Sequence, residues 1–338
     1  MWRYAAQRLM LLIGILFGVL VITFALSRIL PGSPVEMMLG HRPTQEQIDE
    51  AKAQLGLNQS IPNQFIRYVS DVARGDFGIS LRTGQPVLND LADRMMATFE
   101  LTTLALIIVV LLGVPLGVAS AVRRNTMVDH CARGFSIAGA ALPVFLIGMI
   151  LQMIFYGGLK WFPLQARMDA AILYDYPFDR VTGLYLVDTL LAGNWIAFKS
   201  ALSHLVLPVL TLTLAALAVV TRITRNTMVE ALAEDFIRTA RAYGLSRRII
   251  YFRYALKATL IPMLTVIGLT YGFMLGGSVV VEYVFDWPGL GGYVVGAITK
   301  NDFPAVMGVT LLLATTYLVI NLIVDLLYFV VDPRLRSS

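Results

Sequence analysis

Six long runs of hydrophobic residues, separated by polar and charged stretches, dominate the pattern of this chain. The runs cover residues 9–29, 101–122, 134–159, 201–221, 258–281 and 303–331. Four of them contain no Asp, Glu, Lys or Arg, the first has only Arg28 near its end, and the last carries only Asp325. Because about 20 apolar residues in a helix cross the roughly 30 Å of hydrocarbon in a bilayer, the pattern predicts an all-α integral membrane protein with six transmembrane helices.

The composition fits a membrane protein and gives no sign of metal or disulfide chemistry. Of the 338 residues, 57% are hydrophobic and 14% are charged, whereas a soluble domain has about 25% charged residues. Cys131 is the only cysteine, and His41, His130 and His204 are scattered without the spacing of metal ligands. We therefore expect no metal or cofactor bound by this chain. The first run exceeds the roughly 7–15 apolar residues of a signal peptide, so we expect a retained first helix.

Positive charge is unevenly divided between the two sides of the predicted helices. The N-terminus, the loops after the second and fourth runs, and the C-terminal tail lie on one side, which holds 15 of the 27 Lys and Arg residues and five acids. The other side holds 12 cations and 16 acids. Loops rich in Lys and Arg stay in the cytoplasm, so both termini are predicted to be cytoplasmic. Without a nucleic-acid-binding motif, cations scattered over four loops do not indicate a nucleic-acid partner.

The first long segment on the opposite side is predicted to contain two short helices. Thr44 and Gln47 form a T-x-x-Q capping box, which predicts a helix towards Leu55 that ends at Gly56. The second helix is predicted from about Pro62, near its first turn, with Arg74 and Gly75 at its end. The other long segment, residues 160–200, is rich in Trp and Tyr, which are typical of a membrane interface.

Glycine and proline recur inside the apolar runs, and the sequence leaves their role open. They permit either close packing of helices or kinks that let a transport path open alternately to each side. No gating or substrate-contact residue can be chosen from the pattern. The positions are Gly113, Pro115, Gly117, Gly139, Pro143, Pro208, Gly268, Gly272, Gly276 and Gly277.

Between the fourth and fifth runs, cations accompany a short amphipathic pattern. Burying a Lys or Arg in a bilayer costs about 2.5–3.5 kcal/mol, so this loop is predicted to be cytoplasmic. Glu234 and Asp235 suit the positive N-terminal end of a helix. Phe236, Ala240 and Tyr243 then follow at the spacing of one apolar face. The cations are Arg238, Arg241, Arg247, Arg248, Arg253 and Lys257.

Gly244 is predicted to end this short helix, because glycine adopts the left-handed terminal conformation at little cost. Ser246 is placed to cap the next helix, which would run through Ile249, Ile250 and Phe252 into the fifth span. The pattern alone leaves two interpretations of the short helix. It could anchor the loop to anionic lipid, or it could dock into a cytoplasmic partner.

At this loop the sequence resembles the inner-membrane permease subunits of ABC importers of the dipeptide, oligopeptide and nickel type. The family's cytoplasmic loop reads roughly E-D-Y-I-R-T-A-R-A-K-G-L. The corresponding residues here are Glu234, Asp235, Phe236, Ile237, Arg238, Thr239, Ala240, Arg241, Ala242, Tyr243, Gly244 and Leu245. Further matches are Tyr254-Ala255-Leu256-Lys257, Pro31-Gly32-Ser33-Pro34, Gly75-Asp76-Phe77-Gly78-Ile79-Ser80, Trp287-Pro288-Gly289-Leu290-Gly291, Asp302-Phe303-Pro304, Asp325-Leu326-Leu327-Tyr328 and Asp332-Pro333-Arg334.

The resemblance implies a type I importer fold and a division of the chain into four parts. Residues 1–30 hold the N-terminal segment and first span, and 31–98 form a periplasmic helical insertion. Residues 99–332 form a five-helix core with a periplasmic segment at 160–200 and a cytoplasmic coupling loop at 223–257. Residues 333–338 form a cytoplasmic tail.

The resemblance also implies that residues 234–245 are the coupling helix that fits a cleft in an ATP-hydrolysing subunit. It implies a second permease subunit, two ATP-binding subunits that bind ATP and Mg²⁺, a periplasmic substrate-binding protein, and an inner-membrane location. The chain has no G-x-x-x-x-G-K-[ST] motif for ATP phosphates, so we expect no ATPase activity of its own.

The expected cargo is a di- or oligopeptide. Relatives that carry nickel, glutathione or oligosaccharides offer an alternative. An ion-driven secondary carrier would need ionisable groups in mid-membrane, and it is disfavoured because Asp325, the only acidic residue within a predicted span, lies close to the cytoplasmic end of that span.

Overall fold

A computed structural model of the protein describes residues 2–29, 44–54 and 58–331. These residues form helices joined by turns and loops, with an isolated β-bridge between Ile79 and Pro86. Stretches Gln152–Gly158 and Ile250–Ala255 are π-helical. The α-helices are α1 (Trp2–Ile29), α2 (Gln45–Gln54), α3 (Ile61–Ala73), α4 (Val87–Val122), α5 (Met127–Ala141), α6 (Val144–Leu151), α7 (Ala170–Asp175), α8 (Tyr185–Leu191), α9 (Trp195–Ala233), α10 (Asp235–Ala242), α11 (Arg247–Ile249), α12 (Leu256–Val284), α13 (Leu290–Thr299) and α14 (Phe303–Val331).

Five of the six predicted spans are confirmed as single long helices. In the described part of the chain, α1, α4, α9, the stretch Arg247–Val284 that includes α12, and α14 are long and apolar enough to cross a bilayer. Some of them extend well beyond the apolar run. Helix α9 has 39 residues, or about 58 Å at about 1.5 Å per residue, which exceeds the hydrocarbon thickness. Its additional turns carry polar residues beyond the apolar layer.

The third run is broken, which differs from the single helix predicted over residues 134–159. Helices α5 and α6 are separated by Leu142 and Pro143. Proline has no N–H to donate and pushes the preceding residue out of the helical region, and Leu142 accordingly has φ −85° and ψ 130°. The described residues therefore provide five spanning helices, or six if this bent pair is one span.

Both short helices predicted for residues 31–98 are present. Before α2, the Thr44 amide donates to Gln47 Oε1 at 3.0 Å, and the Gln47 amide donates to Thr44 Oγ1 at 3.4 Å, which is the predicted capping box. Helix α3 is followed by Gly75 in the left-handed region, with φ +81°. The predicted stop at Gly56 lies outside the described residues, as do His41, the match at 31–34 and the tail 333–338.

The helices group into two compact units, and the first takes the described residues of Met1–Met96 with Pro288–Leu318. Its core contains Val87 and Leu91 of α4 together with Tyr293 of α13. Two stretches that carry the family resemblance meet here, because Ser80 Oγ donates to Asp302 Oδ2 at 2.5 Å. This hydrogen bond joins the two stretches within the first unit.

Tyr293 is a fully buried residue with a polar group in the first unit's core. Its hydroxyl donates to Asp90 Oδ2 at 3.0 Å, and the guanidinium of Arg94 lies 4.7 Å from the centre of its ring. Burial raises the pKa of Tyr293 to about 12, and the nearby carboxylates of Asp90 and Asp302 act in the same direction. The phenol is therefore neutral across the physiological range.

The second unit takes Ala97–Trp287 with the described residues of Val319–Ser338, and α9 runs through its core. Leu205, Leu212 and Val220 of α9 are buried together with Leu101 of α4. Trp287 closes this core, and its indole N–H donates to the Ala97 carbonyl at 3.0 Å. Other helices cover much of the surface of α9, so its buried residues are not confined to one apolar stripe along the helix.

Close packing accounts for several glycines whose role the sequence leaves open. A Cβ on Gly117 would lie 2.8 Å from the Thr221 carbonyl oxygen, and one on Gly268 would lie 2.6 Å from a methyl carbon of Val324. By contrast, a Cβ on Gly277 would meet no atom of the described chain within 4 Å. Pro115, Pro208 and Pro262 lie inside helices that continue through them.

Buried glutamates lie directly beside two of the predicted spans, in helices that extend beyond the apolar runs. Glu100 in α4 accepts hydrogen bonds from Arg167 Nη2 at 2.5 Å and from the Leu186 amide at 2.8 Å. Glu282 in α12 accepts one from a threonine hydroxyl at 2.6 Å. Glu100 directly precedes the apolar run 101–122, and Glu282 directly follows the run 258–281, so both lie at the ends of the predicted spans. Asp325 lies half-buried in α14.

A fully buried Asp129 joins the start of α5 to the ends of α4 and α9. Arg225 of α9 binds it with both Nε, at 2.7 Å, and Nη2, at 3.0 Å. Ser120 Oγ donates to it at 2.7 Å and the Asn125 amide at 3.0 Å. Such a two-pronged arginine–carboxylate pair fixes geometry as well as charge, so it holds the three helices in register.

Candidate functional site

Residues 234–245, the candidate coupling segment, form a short helix between two membrane-spanning helices. Helix α9 stops because Glu234 has an extended backbone, with φ −67° and ψ 152°. Helix α10 then begins at Asp235, whose carboxylate lies in the first turn and pairs with Arg238 Nη1 at 3.0 Å. The predicted helix and its acidic start are confirmed.

Gly244 ends α10 in the way that the sequence predicts. It has φ +73°, its amide donates to the Arg241 carbonyl at 2.9 Å, and the amide of Leu245 donates to the Ala240 carbonyl at 3.2 Å. This pair of bonds is the Schellman motif, which requires a left-handed residue after the helix. The motif fixes the direction in which the chain leaves α10.

The inner face of α10 is formed by Ile237 and Ala240, both buried. They belong to one apolar cluster with Val118 of α4, Met228 of α9 and Ile250 of the π-helical stretch. The predicted apolar face of Phe236, Ala240 and Tyr243 is therefore divided, because Ala240 is buried with Ile237 whereas Phe236 and Tyr243 are exposed. The spacing of Ile237 and Ala240, three residues apart, was a second pattern in the same sequence, and only packing chooses between them.

The outer face of α10 exposes large apolar groups beside charges. Tyr243 is 82% exposed and Phe236 is 41% exposed. Arg238 and Arg241 are exposed as well. An exposed aromatic side chain flanked by arginines is the composition that interface hot spots favour, so this face can bind another protein through apolar and charged contacts.

A continuous helical path leads from the candidate coupling segment into the membrane. Ser246 occupies the position before α11, but its side chain makes no capping hydrogen bond, which corrects the predicted cap. From Arg247 the backbone stays helical through the π-helical stretch and α12 to Val284. Ile250 shares the cluster that holds Ile237, so α10 is packed directly against the start of this path.

Comparison with known proteins indicates the same class of protein as the sequence resemblance. Residues 113–337 match the family described as "Binding-protein-dependent transport system inner membrane component", and residues 1–102 match the N-terminal part of such membrane components. The chain is 45% identical to the probable D,D-dipeptide transport system permease protein of Escherichia coli over 99% of this chain and 97% of that protein. It is 42% identical to the di/tripeptide transport system permease protein of Pseudomonas aeruginosa over the whole of both chains.

A dipeptide transport system permease protein of Escherichia coli is 39% identical to it, again over the full length of both chains. The helical architecture, the apolar spans and these full-length matches agree. The chain therefore belongs to the family of binding-protein-dependent transport system inner membrane components, as a permease of the ABC-importer class.

Proposed function

We propose that this permease forms the translocation path of a peptide importer and is driven through residues 234–245 by a separate ATP-hydrolysing subunit. A second permease subunit completes the path, two ATP-binding subunits bind ATP and Mg²⁺, and a periplasmic binding protein delivers the cargo. The path has an inward-open and an outward-open state. The closed ATP-binding subunits bind one of these states more tightly than the other, so their closure shifts the path towards that state. The chain itself performs no bond chemistry.

The observation that carries the proposal is that α10 is buried on one face and exposed on the other. Ile237 and Ala240 fix the helix to the ends of the spanning helices, while Tyr243 and Phe236 remain free to contact a partner. A helix that served only as a lipid anchor would need its apolar face outward and continuous. Here the most buried face points to the protein, so movement of the helix is transmitted to α12.

The proposed topology follows from the charges of the loops. The candidate coupling segment and the loop with Arg123 and Arg124 lie on the cation-rich side, so both termini and α10 are assigned to the cytoplasm of a bacterial inner membrane. Residues 160–200 then face the periplasm. This orientation places α10 where an ATP-binding subunit can reach it.

The proposed cargo is a di- or tripeptide. The relatives that match over the full length carry dipeptide or di/tripeptide transport in their names. Uptake of labelled dipeptides by cells that express the complete importer, with competition by unlabelled peptides, nickel and glutathione, identifies the class. Competition by nickel or glutathione but not by peptides would contradict the proposal.

Crosslinking tests the coupling role. In the assembled importer, Tyr243→Cys is expected to form a disulfide with a cysteine in an ATP-binding subunit, and its yield should change with ATP. Tyr174→Cys is the matched control, because Tyr174 is 86% exposed but lies in the segment assigned to the periplasm. Equal crosslinking of both variants, or protection of Tyr243→Cys by lipid alone, would refute the assignment.

A further inference from the structure

A cavity of about 200 Å³ opens between α5, α9 and the end of α4, separate from the candidate coupling segment. Three arginines line it, Arg133, Arg222 and Arg225, together with Thr221 and Ile137. Arg225 and Arg133 both lie near Asp129, at 2.7 Å and 3.7 Å. Three cations against one acid leave an excess of positive charge at the cavity.

The cavity lies at the depth where the spanning helices leave the hydrocarbon. Thr221 is the last residue of the fourth apolar run, and Arg133 directly precedes the third. Ser120, which also lines the cavity, is close to the end of the second run. Arginines at such a depth lie level with the lipid phosphates, so the cavity opens into the headgroup layer.

One polar group in the cavity wall lacks a partner. Thr221 is 2% exposed, and its hydroxyl has no hydrogen-bond partner among the described residues. Buried hydroxyls are nearly always hydrogen-bonded to protein, water or a ligand. A ligand oxygen in the cavity would satisfy this hydroxyl and the arginines together.

The apolar part of the same cavity indicates what kind of anion fits. Ile137 is 72% exposed beside the arginines, and Ala132 lines the wall next to it. A free phosphate would bind the arginines but leave the apolar surface at Ile137 exposed to water. The glycerol and acyl chains of a phospholipid would cover that surface. We propose that the cavity is a binding site for the headgroup of an anionic phospholipid. This site goes beyond the proposed transport role and does not depend on it.

The test measures the phospholipid that stays bound to the purified permease complex, by native mass spectrometry after exchange into detergent with phosphatidylglycerol and phosphatidylethanolamine. The double variant Arg133→Gln/Arg222→Gln is expected to lower phosphatidylglycerol binding about thirtyfold, from about 1 kcal/mol for each cation. Thr221→Val, which leaves the charge unchanged, is expected to lower it about fivefold, the effect of one hydrogen bond.

The matched control is Arg123→Gln/Arg124→Gln, which removes the same charge from exposed residues outside the cavity lining. It should bind phosphatidylglycerol like the wild type. An equal loss of phosphatidylglycerol binding in both double variants would show that the effect comes from surface charge in general, and it would overturn the proposal. Displacement of the lipid by millimolar inorganic phosphate would also overturn the proposal, because it would assign the cavity to a free anion. Burial of an Ile137→Cys label beneath the second permease subunit would overturn it as well, because it would assign the cavity to a protein interface.

Discussion

Gly244→Val is expected to uncouple α10 from α12 without preventing membrane insertion. At φ +73°, a residue with a Cβ is less stable than glycine by about 1–2 kcal/mol. No atom lies within 4 Å of a Cβ built on Gly244, so the cost comes from the backbone conformation and not from a clash. That cost corresponds to about a 5- to 30-fold loss in the population of the bent conformation, and β-branched valine lies at the upper end.

The matched control is Gly193→Val. Gly193 has φ +63° and open space around its Cα, and it ends α8 with the same pair of backbone hydrogen bonds. Its amide donates to Leu190 at 3.0 Å, and that of Asn194 donates to Thr189 at 2.9 Å. The assay is ATP-dependent dipeptide uptake by the complete importer in proteoliposomes, normalised to inserted permease. Gly244→Val should lower uptake about tenfold or more, while Gly193→Val stays near the wild type. Equal uptake by the two variants would refute the reasoning.

Three further predictions concern packing within each of the two units. Asp129→Asn leaves Arg225 without its ion pair and should destabilise the protein by about 3 kcal/mol; thermal inactivation at the wild-type temperature would contradict this. Gly268→Ala forces a methyl group against α14 and should cost about 1–3 kcal/mol, whereas Gly277→Ala, with open space, should be neutral or stabilising by the same measurement. The pKa of Tyr293 is raised from 10.0 to about 12, so the folded state holds this proton more tightly and the resulting stability is lost between about pH 10 and pH 12. In unfolding measured against pH, Tyr293→Phe should lose less stability across that window than the wild type, and an unchanged profile would contradict the assignment.

Features that depend on a few neighbouring residues could be predicted from the sequence. The capping box at Thr44 closes within three residues, and the left-handed stop at Gly244 needs only the absence of a Cβ. The spans follow from apolar runs that no soluble fold explains. These signals are local, so they do not depend on how the rest of the chain packs.

Features that depend on distant partners could not be predicted. Ile237 is buried because Val118 and Ile250 meet it in space, and nothing in residues 234–245 alone favours it over Phe236. The pairing of Glu100 with Arg167 likewise joins residues far apart in the chain. The break at Pro143 did have a sequence signal, but proline also lies within helices here, so the residue alone does not decide between a break and a continuous helix.

Uptake by reconstituted membranes with and without the ATP-binding subunits tests the passive nature of this permease most directly. Proteoliposomes that hold both permease subunits, the ATP-binding subunits and ATP, with binding protein and labelled dipeptide outside, are expected to accumulate peptide. Omitting the ATP-binding subunits or ATP should abolish accumulation, even under an imposed proton or sodium gradient. Accumulation by this chain alone under such a gradient would contradict the whole interpretation.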